Sequence, residues 1–197
     1  ETSTNCLLGE VQKMLFYKSR IFILTKEIYC FNLEGKFLYA INNKGKGPGE
    51  FIRIDNMCID NDKIYIYDNS QWQILSFDAN SGNYLSSIKL KYSVPKLECV
   101  DDYLFIDRSH FPNNYVKGNE RILVSTLKNP NKILFKYFPE KKYEINIINQ
   151  FYGYNKQIYF TDSYKNQLYK IHSNKIEKYF FLDFGENNLT DEEESSL

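Results

Sequence analysis

Ile64-Tyr65-Ile66-Tyr67-Asp68 is the stretch that decides the fold, because related copies of it recur along the chain. The other copies are Ile158-Tyr159-Phe160-Thr161-Asp162, Tyr103-Leu104-Phe105-Ile106-Asp107 and the weaker Ile21-Phe22-Ile23-Leu24-Thr25. Each copy lies within a longer pattern of short apolar segments separated by polar turns. A repeat of roughly 40 to 50 residues is typical of β-propeller blades. The repeat therefore predicts architecture, and it predicts chemistry much less well.

Each repeat divides into four strand-length segments, joined by polar turns of the kind that connect antiparallel strands. Segments such as 64–67 are apolar on both faces, so we expect both faces of each sheet to be covered. Propeller blades meet that condition, and large aromatic side chains fill the wedges between them, which fits a chain with 17 Tyr and 15 Phe. We predict an all-β propeller of about four four-stranded antiparallel blades in one domain. The expected blades are 10–43, 52–91, 95–139 and 144–185, followed by an acidic tail at 186–197.

Charge and hydropathy exclude two classes of partner. Lys and Arg number 25, and so do Asp and Glu, so the basic excess that nucleic-acid binding requires is absent. No apolar stretch approaches the roughly 20 residues of a transmembrane helix, and no charged-then-apolar leader is visible.

The four cysteines, Cys6, Cys30, Cys58 and Cys99, show no zinc-binding spacing. Cys58 and Cys99 occupy similar places in two successive repeats. We expect equivalent positions in neighbouring blades to lie beyond the roughly 7 Å between Cα atoms that a bridge tolerates. Buried free thiols are therefore favoured over a disulfide, and the redox compartment stays open.

A run in the first two repeats resembles a known family. It comprises Gly35-Lys36-Phe37-Leu38, Gly45-Lys46-Gly47-Pro48-Gly49-Glu50-Phe51, 63–68 and 74–78. The run is similar to NHL-type repeats, and more closely to six-bladed β-propeller proteins of largely unknown function found as bacterial envelope lipoproteins. The resemblance is specific over roughly residues 7–90 and continues as a pattern to about 185. It implies a location in the periplasm or on the outer-membrane surface, with a lipid anchor on the full-length protein.

The same resemblance implies six blades where this chain has about four. We therefore expect a partial propeller whose two terminal blade faces expose Phe and Tyr side chains. Apolar patches of more than a few hundred Å² are uncommon on soluble monomers. Self-association through the open blade faces, or a tightened four-blade ring, would cover them.

The glycine run Gly47-Pro48-Gly49 is interpreted as a structural turn between blades. A phosphate-binding Walker loop needs a glycine, four residues and then Gly-Lys-Ser/Thr, and Gly45-Lys46 does not have that context. Pro48 instead fixes one φ angle between two permissive glycines.

Asp68, Asp107 and Asp162 recur at the end of the second strand of their repeats. Repeated carboxylates fit either a metal or acid–base site, or turns in which each carboxylate accepts backbone N–H groups. Repetition in successive blades favours the structural role, because a catalytic group is normally needed once. Only two histidines are present, which gives poor support for a propeller metalloenzyme. We expect no metal and no cofactor.

The candidate ligand surface lies on the face that carries the inter-blade connections and the loops between second and third strands. The candidate binding residues on that face are Trp72, Arg108, His110, Phe111, Tyr115 and Tyr164. Aromatic rings beside amide and guanidinium groups suit stacking on sugar rings or gripping a peptide. An equally good interpretation is that these rings cover the underside of their own loops.

Taken together, these features favour a non-enzymatic binding or scaffold module of a bacterial cell envelope, with a glycan or peptide ligand on the loop face. The alternative is a lyase or hydrolase of the propeller type, with its site at the central channel.

Overall fold

A computed structural model describes residues 8–108, 115–118, 120–139, 151–162, 166–183 and 185. The strands in these residues form four sheets, each with its four strands paired antiparallel in chain order. Blade 1 contains β1 (Lys13–Tyr17), β2 (Arg20–Leu24), β3 (Ile28–Asn32) and β4 (Phe37–Ile41). Blade 2 contains β5 (Asn56–Asp60), β6 (Lys63–Asp68), β7 (Gln73–Asp78) and β8 (Tyr84–Lys89). Blade 3 contains β9 (Lys96–Val100), β10 (Tyr103–Asp107), β11 (Glu120–Thr126) and β12 (Phe135–Pro139), and blade 4 contains β13 (Phe151–Tyr154), β14 (Gln157–Asp162), β15 (Gln167–Ile171) and β16 (Ile176–Phe181).

The four sheets are the blades of a β-propeller, so the predicted fold class is confirmed. Successive residues of a strand point to opposite faces of its sheet. In β6, Ile64 and Ile66 are buried against blade 1, whereas Tyr65 and Tyr67 are buried against blade 3. Three apolar clusters arise in this way, one between each pair of successive blades. The double-sided apolar strands seen in the sequence are the consequence of this packing.

Two-residue turns between the first and second strands set the register of three blades. Asn61-Asp62, Asp101-Asp102 and Asn155-Lys156 all have positive φ angles, between 47° and 65°. Asn and Asp tolerate that conformation, and turns with two positive φ angles match the twist of antiparallel strands. These turns lie at one end of the blades, which we call the turn face. The opposite end is the loop face.

Lys18 lies in the corresponding turn of blade 1, between β1 and β2. Contacts between the four turns link each blade to the next on the turn face. Lys18 pairs with Asp62 at 2.5 Å, Asn61 donates to the Asp102 carboxylate at 3.0 Å, and Lys156 lies 3.8 Å from Asp101. The contacts therefore run in order from blade 1 to blade 4.

Register from the turns corrects the alignment of the third repeat. Lys63 and Tyr103 both follow directly after such a turn. Counting from there, the residue of blade 3 equivalent to Asp68 is Arg108. Asp107 ends β10 but lies one position earlier, and so points to the opposite face of its sheet. The sequence comparison that matched Asp107 with Asp68 is offset by one residue.

The same offset explains why the prediction of free thiols at Cys58 and Cys99 is wrong. These two residues form a disulfide, with their Cα atoms 5.8 Å apart. Cys58 pairs with Tyr65 and faces blade 3, whereas Cys99 pairs with Leu104 and faces blade 2. They are therefore facing residues on adjacent innermost strands and not equivalent residues. Cys30 is a buried free thiol, as predicted for it, and Cys6 lies outside the described residues.

No helix within the described residues is long and apolar enough to cross a bilayer.

Candidate functional site

Asp68 organises the loop face next to blade 2. Its buried carboxylate accepts backbone N–H groups from Ser70 at 2.9 Å and Gln71 at 3.3 Å, in the turn that follows β6. It also accepts the N–H of Ile52 at 2.8 Å, in the connection from blade 1. One carboxylate therefore fixes a turn and an inter-blade connection together.

The Gly47-Pro48-Gly49 segment lies in that connection between blades 1 and 2. Glu50 N–H donates to the Gly47 carbonyl at 3.0 Å, and Gly49 has a φ of 77°. A side chain at Gly49 would also collide with the Tyr84 ring, whose nearest atom would lie 2.8 Å from the added Cβ. The connection between blades 1 and 2 is therefore tightly packed at Gly49.

Asp107 has a different partner from Asp68. Its carboxylate receives two bonds from the Arg121 guanidinium, at 2.9 and 3.1 Å, and both side chains are almost fully buried. The guanidinium carbon lies 5.1 Å from the centre of the Phe160 ring of blade 4. Asp107 therefore serves the junction of blades 3 and 4. The side chain of Asp162 lies outside the described residues.

Arg108, predicted as a ligand-binding residue, is buried and does not belong to the exposed surface. Its side chain is buried, and Nη1 donates to the carbonyls of Gly118 and Glu120, both at 3.1 Å. Arg108 occupies the position equivalent to Asp68. From there its side chain holds Gly118 and Glu120, at the end of the loop that leads into β11. His110, Phe111 and Tyr164 lie outside the described residues.

Trp72 and Tyr115 are the two predicted ligand residues that the structure places on the surface, 47% and 43% exposed. The Trp72 carbonyl accepts the N–H of Leu90 at 2.7 Å. Tyr115 stacks on the buried Tyr92 ring, with centroids 6.0 Å apart and planes within 11°. The Lys91 ammonium lies 5.2 Å from the centre of the Tyr115 ring. We call Trp72, Lys91 and Tyr115 the aromatic surface.

The aromatic surface rests on a loop of blade 3 that sequence reasoning did not connect with it. The side chain of Asn131 accepts the N–H of Lys91 at 3.0 Å and donates to the Lys89 carbonyl at 2.8 Å. The Tyr92 hydroxyl donates to the Pro130 carbonyl at 2.6 Å. Both contacts join residues about 40 positions apart. Nothing in the local sequence of either segment signals them, because the pairing depends on how blades 2 and 3 pack.

A second candidate site is a cavity of about 440 Å³ among the innermost strands of the four blades. Glu98 lines it, only 7% exposed, and pairs with Lys13 of blade 1 at 2.5 Å. Lys13 also donates to the Asn56 side chain at 3.2 Å. Burial raises the pKa of the Glu98 carboxyl above its ordinary value, and the opposing effects are the attraction of Lys13 and a bond from the Gly153 N–H. Such a carboxyl can hold a proton at a higher pH than an exposed glutamate.

The described residues contain no group of three or more His, Cys, Asp or Glu side chains suited to hold a metal ion.

The full length of the chain, residues 1–197, matches the family described as "Domain of unknown function (DUF4934)". The chain belongs to this family. No curated protein matches it.

The solved structures similar to this DUF4934 domain include three bacterial proteins. A putative exported protein of Bacteroides fragilis superposes with a TM-score of 0.76 at 20% identity, over 91% of this chain and 52% of its own. A member of the DUF4221 family from Bacteroides vulgatus gives 0.59 at 13%, over 90% and 59%. PorZ, a surface component of the type-IX secretion system of Porphyromonas gingivalis, gives 0.52 at 11%, over 86% and 20%. The chain thus spans less than two thirds of each, and at these identities the likeness shows the fold alone.

Proposed function

We propose that this domain is a non-enzymatic binding or scaffold module of a bacterial cell envelope, whose glycan or peptide ligand contacts the aromatic surface. The observation that carries the proposal is that Trp72 and Tyr115 stay half-exposed beside the segment that follows β8, where Trp72 accepts the N–H of Leu90 and Tyr115 stacks on Tyr92. Large rings that stay exposed while their backbones are fixed lose little conformational entropy on binding.

The two rings have different roles in this proposal. Tyr115 has Tyr92 against one side and the Lys91 ammonium near its ring, so it positions that cation. Trp72 offers an indole face to a sugar ring or an apolar side chain. Lys91 supplies a charge for an acidic group of the ligand near Tyr115.

Two observations support the envelope location. A disulfide between Cys58 and Cys99 fits an oxidising compartment, such as the periplasm or the cell surface. Two of the similar structures are described as a putative exported protein and as a bacterial surface component. The lipid anchor and the closer relation to six-bladed NHL-like lipoproteins rest on the sequence resemblance and remain predictions.

Glu98 supports the second candidate function, a lyase or hydrolase at the central channel. A buried carboxyl with a raised pKa beside a cavity is a candidate proton donor. The cavity is lined by the first strands of the blades and does not include the residues of the aromatic surface. Substitutions in one site can therefore be tested without changing the other. Glu98→Gln should leave binding at the aromatic surface unchanged, whereas it would abolish catalysis at the channel.

Glycan and peptide arrays probed with the purified domain test the proposal. We expect Trp72→Ala to weaken binding to the selected ligand by at least roughly tenfold, the loss of one good anchor residue. Leu85→Ala is the matched control, because Leu85 is 46% exposed on β8 and outside the aromatic surface. Trp72→Ala and Tyr115→Ala proteins that bind as tightly as the parent would refute the proposal.

A further inference from the structure

A tyrosine of one blade bonds to the backbone of the next blade at two of the three junctions. At the junction of blades 1 and 2, Tyr39 on the outermost strand β4 donates its hydroxyl to the Ala79 carbonyl at 2.6 Å. At the junction of blades 3 and 4, Tyr137 on β12 donates to the Ser173 carbonyl at 3.4 Å. Ala79 and Ser173 hold equivalent positions, counted from the pairing of the second and third strands.

The junction of blades 2 and 3 has the equivalent carbonyl but no tyrosine on it. Leu127 is the counterpart of Ala79, because each directly follows the residue paired with the first residue of the second strand. Each also donates its N–H to the turn before that strand, at 2.9 Å. No described hydroxyl donates to the Leu127 carbonyl.

Ser86 takes the place of Tyr39 on the outermost strand of blade 2. β8 pairs Ser86 with Ser76 as β4 pairs Tyr39 with Cys30, and a register shift follows that pair in both sheets. The Ser86 hydroxyl stays within its own sheet, 2.8 Å from the Ser76 hydroxyl. A cavity of about 390 Å³, lined by both serines, is left between the two blades. Its volume is in the range of small-molecule sites.

The walls of the cavity suit an aromatic ring. The side chain of Lys63 lines it, and Lys63 is the counterpart of Arg20, as the first residue of its second strand. The Arg20 guanidinium carbon lies 6.0 Å from the centre of the Tyr39 ring, so Lys63 can supply the same kind of cationic neighbour. Apolar side chains complete the wall, namely Ile74, Ile88 and Leu127.

Tyr65 adds a polar group to the same wall. Its side chain is only 8% exposed and lines the cavity, and its hydroxyl forms no hydrogen bond with a described residue. Burial raises the pKa of Tyr65 to about 12, and the carboxylates of Asp60 and Asp102 add to that shift. The hydroxyl therefore keeps its proton at neutral pH and is free to donate to a ligand oxygen.

We propose that this cavity binds the phenol ring of a para-substituted ligand, which lies as Tyr39 does and donates its hydroxyl to the Leu127 carbonyl. The para substituent leaves past Ser86, the position from which the Tyr39 side chain enters its own junction. A tyrosine side chain and a free phenol share this chemistry. The lining residues all belong to blades 2 and 3 and none to the aromatic surface, so the site is separate from the function proposed above.

An NMR titration of the purified chain with p-cresol tests the inference. We expect saturable shifts of amide signals from residues around the cavity. Toluene has the same ring without the hydroxyl and should bind at least roughly tenfold more weakly, because polar groups of the site then stay unpaired. A parent chain that does not bind p-cresol, or that binds both compounds equally, would overturn the inference without any variant.

Ser86→Tyr should weaken p-cresol binding at least roughly tenfold, because the new ring fills the cavity as Tyr39 fills its junction. Ser87→Tyr is the matched control and should bind p-cresol as the parent does. Ser87 is the next residue of β8 and faces the opposite side of the sheet. Circular dichroism establishes that both variants retain the parental β-sheet spectrum. A folded Ser86→Tyr protein that binds p-cresol as tightly as the parent would refute the site.

A glycyl-tyrosyl-glycine peptide distinguishes the two sources of the phenol ring. If the peptide displaces p-cresol, the site accepts tyrosine side chains of polypeptides. If p-cresol stays bound, the site is specific for free phenols.

Discussion

The junction of blades 2 and 3 and the junction of blades 3 and 4 use the same backbone positions for opposite chemistry. Cys58 and Cys99 close the first with a covalent bond. Glu98 and Gly153 occupy the corresponding positions of the second, where a buried carboxylate lies against a residue without a side chain. The comparison teaches that the turns fix which residues face each other, and that the chemistry at those positions is then free to differ.

The two junctions also stabilise the propeller in different ways. A disulfide acts largely by restricting the unfolded chain. A buried carboxylate loses its hydration, and only well-placed partners offset that loss. Lys13 reaches Glu98 from blade 1, so the second junction depends on a blade that does not belong to it. The first junction should therefore tolerate changes elsewhere in the ring better than the second.

The largest effect is expected from removing the disulfide. In the Cys58→Ala/Cys99→Ala variant, the free energy of unfolding should fall by about 4 kcal/mol, since the bridge spans 41 residues. Urea denaturation measures the change. Reductant should lower the parent to the level of the variant and leave the variant unchanged. If reductant has no effect on the parent, the bridge does not stabilise this junction.

Replacing Lys13 with Met should lower the free energy of unfolding by about 3 kcal/mol at neutral pH, because it leaves Glu98 buried without its cationic partner. Lys18→Met is the matched control. Its pair with Asp62 is largely exposed, so its removal should have a much smaller effect. Equal effects of the two substitutions would show that the Glu98 junction is no more sensitive than the surface.

The cost of Lys13→Met should depend on pH in a defined direction. The raised pKa of Glu98 means that the folded state holds this proton more tightly than the unfolded state. Lowering the pH from that raised pKa towards the ordinary value of 4.5 therefore stabilises the folded protein. Without Lys13 the pKa should rise further, so the difference between variant and parent should shrink as the pH falls. A difference that is constant from pH 7 to pH 4 would contradict the assignment to Glu98.

The smallest effect concerns Gly153. An added Cβ would lie 3.1 Å from a Glu98 carboxylate oxygen, so Gly153→Ala should lower the free energy of unfolding by about 1 kcal/mol. In a Glu98→Ala background that crowding is gone, and alanine should be neutral or stabilising because glycine weakens a strand. The double-mutant cycle measures this coupling. Additive effects would mean that Glu98 and Gly153 do not contact each other.

The strands could be predicted closely because apolar segments and polar turns mark both ends of each. The segment 64–67 is predicted as a strand with two apolar faces, and it lies within β6. The register of blade 3 could not be predicted in the same way. The run 103–107 resembles 64–68 so closely that aligning the two runs matches Asp107 with Asp68. The turn before β10 shows that the correct alignment matches Arg108 with Asp68. The misassigned cysteines, and the inward position of Arg108, follow from that one-residue offset.

Only part of the candidate site could be predicted. Trp72 and Tyr115 lie in polar loop sequence, where exposed rings are conspicuous. Lys91 and Asn131 carry no such signal, because their contact joins residues 40 positions apart across two blades. The Lys13–Glu98 pair joins residues 85 positions apart and depends on the arrangement of three blades. Interactions of this kind are set by tertiary packing and not by local pattern.

The chain of contacts along the turn face has a consequence for how such proteins can diversify. A two-residue turn whose side chains also touch the neighbouring turn cannot gain a residue without shifting its strand register and breaking that contact. The connections on the loop face join strands of different blades and set no hairpin register, so their length is not limited in this way. Insertions and deletions should therefore accumulate at that end of the blades. The turn face would keep constant turn lengths, while the loop face would be free to acquire new recognition loops.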